Sequence, residues 1–245
     1  LLIHDTLPGA SGYEWSKIED ELAIDHTVYT VDLLGCGRSD KSSITYTNFV
    51  YVQMISDFIK KIIGQKTDVI TSGFSGSFVT MACHNEKELF NKIMLVNPPS
   101  LTQLKQMPNR KDRLLKAALE IPIFGTLVYH MIVSRDNINN LFIEKMYYNP
   151  FHVDNQMADA YYEAAHKGGY YTRFLYSSLA AKYININICH ALKALDNSIY
   201  IVEGETEPNG KAVTDDYCAS NPAIEVSVLK ETKHLPHVEA PEAFL

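Results

Sequence analysis

The sequence predicts an α/β fold: a mostly parallel sheet flanked by helices, interrupted once by an α-helical insertion. Three observations lead there. Short apolar or β-branched runs alternate with segments of helical spacing through the first hundred or so residues. The alternation then lapses from Leu101 to Leu195, where helical spacing is continuous and 13 residues are Tyr or Phe. It resumes from Ser198 to the end. Strands joined by helices through short loops favour parallel pairing with both sheet faces covered.

The elements follow in order. Leu1-Leu2-Ile3 is a buried strand stopped by the turn-forming stretch Asp5 to Gly12. Tyr13 to Leu22 has Trp15, Ile18 and Leu22 at helical spacing, and Thr27 to Leu33 is a β-branched strand ending at Gly35-Cys36-Gly37. That glycine pair lacks the third glycine and helix start of a dinucleotide loop and reads as a structural turn. Thr47 to Ile63 predicts an amphipathic helix with Val50, Met54, Phe58 and Ile62 on its apolar stripe, stopped by Gly64. Asp68 to Thr71 is a strand, Ser77 to Phe90 a helix, and Lys92 to Val96 a strand closed by Asn97-Pro98-Pro99. After the insertion, Ser198 to Val202 is a strand, Lys211 to Ala219 a helix and Glu225 to Leu229 the last strand. The organisation predicted is a core over 1–100 and 196–245, with the insertion 101–195 as a helical cap.

Chemistry centres on Gly73-Phe74-Ser75-Gly76-Ser77, between a strand and a helix. A sharp, strained turn there would lift Ser75 above the sheet edge, with small neighbours at 73 and 77 avoiding clashes. The helix that follows adds its positive end beside the Ser75 oxygen. An activated serine needs a base and the base a carboxylate. The last two strands offer both: Glu205 and Glu207 after one, with Glu203 on the strand itself, and His234 and His237 after the other.

Four stretches make the chain resemble the α/β-hydrolase superfamily, particularly its capped esterases and carbon–carbon bond hydrolases. His4-Asp-Thr-Leu-Pro-Gly-Ala-Ser11 is similar to the family's oxyanion loop, and Asp32-Leu-Leu-Gly-Cys-Gly-Arg-Ser-Asp40 to the turn after the next strand. Gly73 to Ser77 resembles the nucleophile elbow, and His234-Leu-Pro-His-Val-Glu-Ala-Pro-Glu-Ala-Phe244 the family's C-terminal histidine motif. The resemblance implies the α/β-hydrolase fold with Ser75 as nucleophile, His234 as base and Glu207 as acid. Glu205 and His237 are the fallbacks. It places the oxyanion hole at the backbone amides of Gly76 and Thr6. Asp5 stands where the family usually has glycine, and a carboxylate turned into that hole would oppose an oxyanion. Relatives usually carry a hairpin before the first strand and a longer closing helix, so both ends are expected to be trimmed.

The implied activity is serine hydrolysis of a small-to-medium carboxylic ester through an acyl-enzyme. The alternatives are carbon–carbon cleavage of a vinylogous diketone and, motivated by Asp5, Ser77 and Glu207, a non-catalytic ligand-binding role. A small-molecule substrate and no metal or organic cofactor are expected. A net charge of −7 argues against nucleic-acid partners. Cys36, Cys83, Cys189 and Cys218 form no CxxC pair and read as reduced thiols. His152 and His166 have no metal-ligand company and read as structural. Some cap aromatics are expected to face substrate. The basic run Lys105 to Lys116 beside apolar Ile121 to Val133 reads as a solvated helix leading into a core helix, without stable membrane insertion. A cytoplasmic location is expected, with a leader before Leu1 left open.

Overall fold

The computed structural model describes residues 1–245. Six strands form one sheet: β1 (Leu2–Ile3), β2 (Thr30–Val31), β3 (Thr67–Ser72), β4 (Phe90–Val96), β5 (Ser198–Gly204) and β6 (Glu225–Leu229). Their order is β2-β1-β3-β4-β5-β6, and every pairing is parallel. The register aligns Ile3 with Thr71, Ser72 with Val96, Val96 with Val202 and Gly204 with Leu229. All strand C-termini therefore open on one sheet edge, where open α/β sheets build their sites.

The helix after β2 runs from Asn48 to Phe58, continues as a wider turn to Ile63, and ends at left-handed Gly64 with φ 72°. Its buried face is Tyr51, Val52, Ile55 and Ile59. That lies one position from the predicted stripe, and Ile62 is exposed. Tyr13 to Leu22 is not one helix but a 3₁₀ turn, Gly12–Trp15, and a short helix, Glu19–Leu22. The helix after β3 begins at Ser75, two residues earlier than predicted, and ends at Asn85.

Between β4 and β5 every regular element is a helix. Its two ends are not separate from the core, since Leu101, Leu104, Leu175, Ile188, Leu192 and Leu195 pack with the strand residues Ile93, Leu95 and Ile201. The middle has its own interior, built on Tyr129, Ile138, Phe142, Tyr147, Met157 and Tyr161, and it packs on Ala10, Leu235 and Val238 of the core.

Helix Arg110–Glu120 starts on an Asn109/Asp112 capping box and turns by 96° into helix Pro122–Ile132. The latter is not a core helix: Ile123, Leu127 and Met131 are 87%, 62% and 63% exposed. No single helix is long and apolar enough to cross a membrane.

Candidate active site

Five loops meet at the C-terminal sheet edge, and three of them bring the candidate groups together. After β1, Asp5 is buried. Its Oδ1 accepts the backbone N–H of Thr6 at 2.6 Å and of Phe74 at 2.7 Å. After β6, half-buried His234 donates from Nδ1 to Glu207 Oε1 at 3.3 Å, while its Nε2 faces Asp5 Oδ2 at 3.6 Å. After β5, Glu207 sits in a turn whose Gly204 carbonyl accepts the Glu207 N–H. These groups line a cavity of about 580 Å³ together with Gly73, Leu7, and Leu141 and Met146 of the cap.

Burial alone would lower the His234 pKa. Hydrogen bonding and charge from Asp5 and Glu207 outweigh it and push the value up to about 10. At neutral pH the ring is therefore an imidazolium held between two carboxylates.

The turn after β3 is offset from the expected one. Its apex is Gly73, with φ 51°, while Phe74 is right-handed at φ −58° and ψ −31° and Ser75 opens the helix. Ser75 takes no positive φ. The arrangement of small residue, apex and small residue therefore falls on Thr71, Gly73 and Ser75, not on Gly73, Ser75 and Ser77. Only glycine takes this left-handed conformation without strain. A Cβ at position 73 would also lie 2.2 Å from Asp5 Cγ.

Ser75 is fully buried and is absent from the cavity lining. Its Oγ donates to the His4 carbonyl at 2.6 Å and accepts from Thr6 Oγ1 at 2.8 Å. In this arrangement the Ser75 hydroxyl is tied to a main-chain carbonyl and is not among the groups that line the cavity with His234. The Gly76 N–H closes the turn on the Gly73 carbonyl at 3.2 Å. The amides that converge on one point are those of Thr6 and Phe74, and both already hold Asp5.

The fallbacks lie elsewhere. Glu205 is exposed and accepts the Glu231 N–H at 3.0 Å. His237 is fully buried, stacked on Trp15 at 4.3 Å, with Nε2 3.4 Å from Glu14 Oε1. Glu14 is itself buried and also receives the Ser72 hydroxyl. Glu203 is buried, accepting from Thr214 at 3.0 Å. No cap aromatic lines the cavity. Tyr129, Phe142, Tyr147 and Tyr161 are buried in the cap's own interior.

Two contributors were not singled out from sequence. Asn97, at the end of β4, adopts φ 43°. Its Nδ2 donates to the carbonyls of Lys233 and His234 at 2.8 and 3.0 Å, and its Oδ1 accepts the Gly204 N–H at 3.0 Å. It thereby ties the histidine loop to β5. Asparagine's tolerance of the left-handed region, just before Pro98-Pro99, was the available signal. Gly73, read from sequence as a small neighbour of Ser75, is the second only in its role as apex. The Asp32 turn is structural, since its carboxylate accepts the N–H groups of Gly12 and Arg38 at 2.6 Å each.

The sequence profile of the Alpha/beta hydrolase family matches residues 1–245. A serine hydrolase involved in carbazole degradation superposes with a TM-score of 0.77 at 17% identity, covering 99% of this chain and 86% of its own. The meta-cleavage product hydrolase of Pseudomonas fluorescens IP01 gives 0.76 at 18% identity, with the same coverages. A thermophilic esterase from Thermogutta terrifontis gives 0.75 at 13% identity, covering 99% and 85%. An uncharacterised protein of Mycobacterium tuberculosis is 25% identical over 103 residues, which is 42% of this chain but only 30% of that relative's length.

Proposed function

The chain belongs to the alpha/beta hydrolase family, and on that premise we propose that it hydrolyses a small organic substrate in the cavity beside Asp5, Glu207 and His234. The observation that carries this reading is the Glu207–His234 pair, whose second ring nitrogen faces a carboxylate seated on two backbone amides. A carboxylate-oriented histidine next to convergent N–H donors is the equipment of hydrolysis: one handles protons, the other receives developing negative charge.

Ester cleavage through a serine acyl-enzyme, and carbon–carbon cleavage of a vinylogous diketone, each need two further things. One is a hydroxyl beside the imidazole; the other is a free pair of amides for the substrate's carbonyl oxygen. Ser75 is turned to His4, and Asp5 holds both amides. Support for the hydrolase reading therefore lies in the carboxylate-held histidine beside the cavity and in the family, not in Ser75. A second reading, ligand binding without turnover, is favoured by the same occupied amides.

The test is turnover of p-nitrophenyl butyrate, a dienone acid and primary alkyl bromides by wild type, His234→Ala and Glu207→Gln. Hydrolysis of any of these that falls roughly 10²-fold or more in both variants supports the proposal. Thermal stabilisation by these compounds without product supports the binding reading instead.

A further inference from the structure

We propose that the outer face of helices Arg110–Glu120 and Pro122–Ile132 docks on a bilayer surface rich in anionic lipid, lying in the headgroup region without crossing it. Such docking is independent of the reaction at the sheet edge.

Helix Pro122–Ile132 is apolar on both sides. One side is already used. A Cβ at Gly125 would lie 1.8 Å from the Leu119 carbonyl oxygen, so this helix sits tightly on the end of the preceding one. Tyr129 is buried on the same side, its hydroxyl donating to the Ala165 carbonyl at 2.8 Å. The opposite side carries Ile123, Leu127 and Met131, one turn apart and all exposed. A helix with water on its outer side is ordinarily polar there, and one that is apolar all round suits a core or a lipid phase.

The exposed stripe continues onto the preceding helix. Arg110, Leu114, Ala117 and Ile121 stand at i, i+4, i+7 and i+11, fall on one face, and are all exposed. The stripe is thus apolar toward Pro122 and basic at its start, where Lys111 and Arg113 are exposed beside Arg110.

Charge selects the partner. Residues 101–134 hold five cations and two carboxylates, in a chain whose net charge is −7. Both carboxylates are engaged within the protein. Asp112 accepts the Asn109 N–H and pairs with Lys182, while Glu120 pairs with Lys116 and accepts from Ser177. Lys105, Arg110, Lys111 and Arg113 are exposed and belong to no ion pair. Cations beside an apolar ridge complement anionic headgroups above acyl chains, and each one near such a surface strengthens partitioning roughly fivefold. The same face opposes closure on a second copy. A two-fold contact would bring these cations together, with no free carboxylate in residues 101–134 to meet them.

The geometry makes docking peripheral. Each helix has 11 residues and the two meet at 96°, whereas crossing takes about 20 apolar residues in one helix. The apolar side lies down toward the acyl chains, and the long basic side chains reach up to the phosphates.

Sedimentation of the full chain with vesicles of phosphatidylcholine, alone or with an equal share of phosphatidylglycerol, is the test. Wild type is expected to partition at least roughly 10-fold more strongly to the anionic vesicles, and to lose that preference in high salt. Ile123→Gln with Leu127→Gln is expected to weaken binding at least roughly 10-fold. Arg110→Gln, Lys111→Gln and Arg113→Gln together are expected to weaken it roughly 100-fold. All five positions are exposed, so both variants are expected to melt as wild type does. Because Trp15 is the one tryptophan and is fully buried, Ile123→Trp reports on the face itself, and its emission is expected to move to the blue with anionic vesicles only. No binding, equal binding to both vesicles, or binding untouched by the Ile123 and Leu127 changes overturns the proposal. A wild-type dimer in ultracentrifugation that becomes monomeric in that double variant assigns the face to a second copy, and overturns it as well.

Discussion

Asp5 stands where a side chain of Gly73 would stand: a Cβ added at position 73 would fall 2.2 Å from Asp5 Cγ. The two positions are therefore alternatives for one space above the sheet edge, and what occupies that space determines the chemistry.

Exchanging the two positions is the sharpest genetic test of that relationship. Gly73→Ser alone introduces both a left-handed serine and a clash with Asp5, and is expected to destabilise by about 2–4 kcal/mol in urea unfolding. Asp5→Gly with Gly73→Ser removes the clash and frees the Thr6 and Phe74 amides. The double variant is expected to recover stability and to label at position 73 with a fluorophosphonate, which wild type does not. Additive stability losses would contradict it.

Ser75→Ala removes a buried hydroxyl that bonds His4 and Thr6. It is expected to cost about 1–3 kcal/mol in chemical denaturation and to leave turnover within a few-fold of wild type. Loss of turnover in a stable Ser75→Ala protein would restore the serine reading.

Asn97→Ala removes three hydrogen bonds between β5 and the histidine loop. Stability is expected to fall by about 1–3 kcal/mol. Turnover should fall further than stability explains, because the backbone carrying His234 loses its tether. Unchanged turnover at full folding would show that the loop is held by other contacts.

His237→Ala leaves buried Glu14 without its histidine partner. Glu14 lies below the ordinary carboxylate range: burial alone would raise it, and the bonds and charge of His237, with the Ser72 bond, more than offset that. Breaking a buried pair of this kind costs about 3–5 kcal/mol, read as a lower Tm, with turnover of the folded fraction retained.

Stability should also depend on alkaline pH. His234 is raised from an ordinary 6.5 to about 10 in the folded protein, so the protonated ring favours the folded state. That contribution is complete below pH 6.5 and is lost as pH rises toward 10. Tm is expected to fall across this window in wild type and less steeply in Asp5→Asn. Equal slopes in the two proteins would contradict the coupling.

Much of this was legible from residue order. The parallel sheet follows from the alternation of apolar runs with helical spacing; position after the last two strands narrows the acid to a few glutamates and the base to His234 or His237, and the family resemblance points to Glu207 and His234 among them. The register of the turn after β3 was not. Thr71-Ser-Gly-Phe-Ser and Gly73-Phe-Ser-Gly-Ser both read as small residues around a centre. Which glycine bends depends on where β3 ends, a matter of pairing with β4 and not of local propensity. Helix Pro122–Ile132 was misread for a related reason: an apolar composition does not say which neighbour, if any, covers it. Asp5 was noticed as a departure from glycine, but only the approach of its loop to Gly73 gives that departure a meaning.

The most direct test of the site is the titration of the His234 ring by NMR in wild type, Asp5→Asn and Ser75→Ala. The ring is expected to titrate near 10 in wild type and in Ser75→Ala. In Asp5→Asn its pKa should drop markedly, because one of the two carboxylates that hold its proton is gone. A ring that shifts in Ser75→Ala and not in Asp5→Asn would mean that His234 answers to the serine and that Asp5 does not hold its proton.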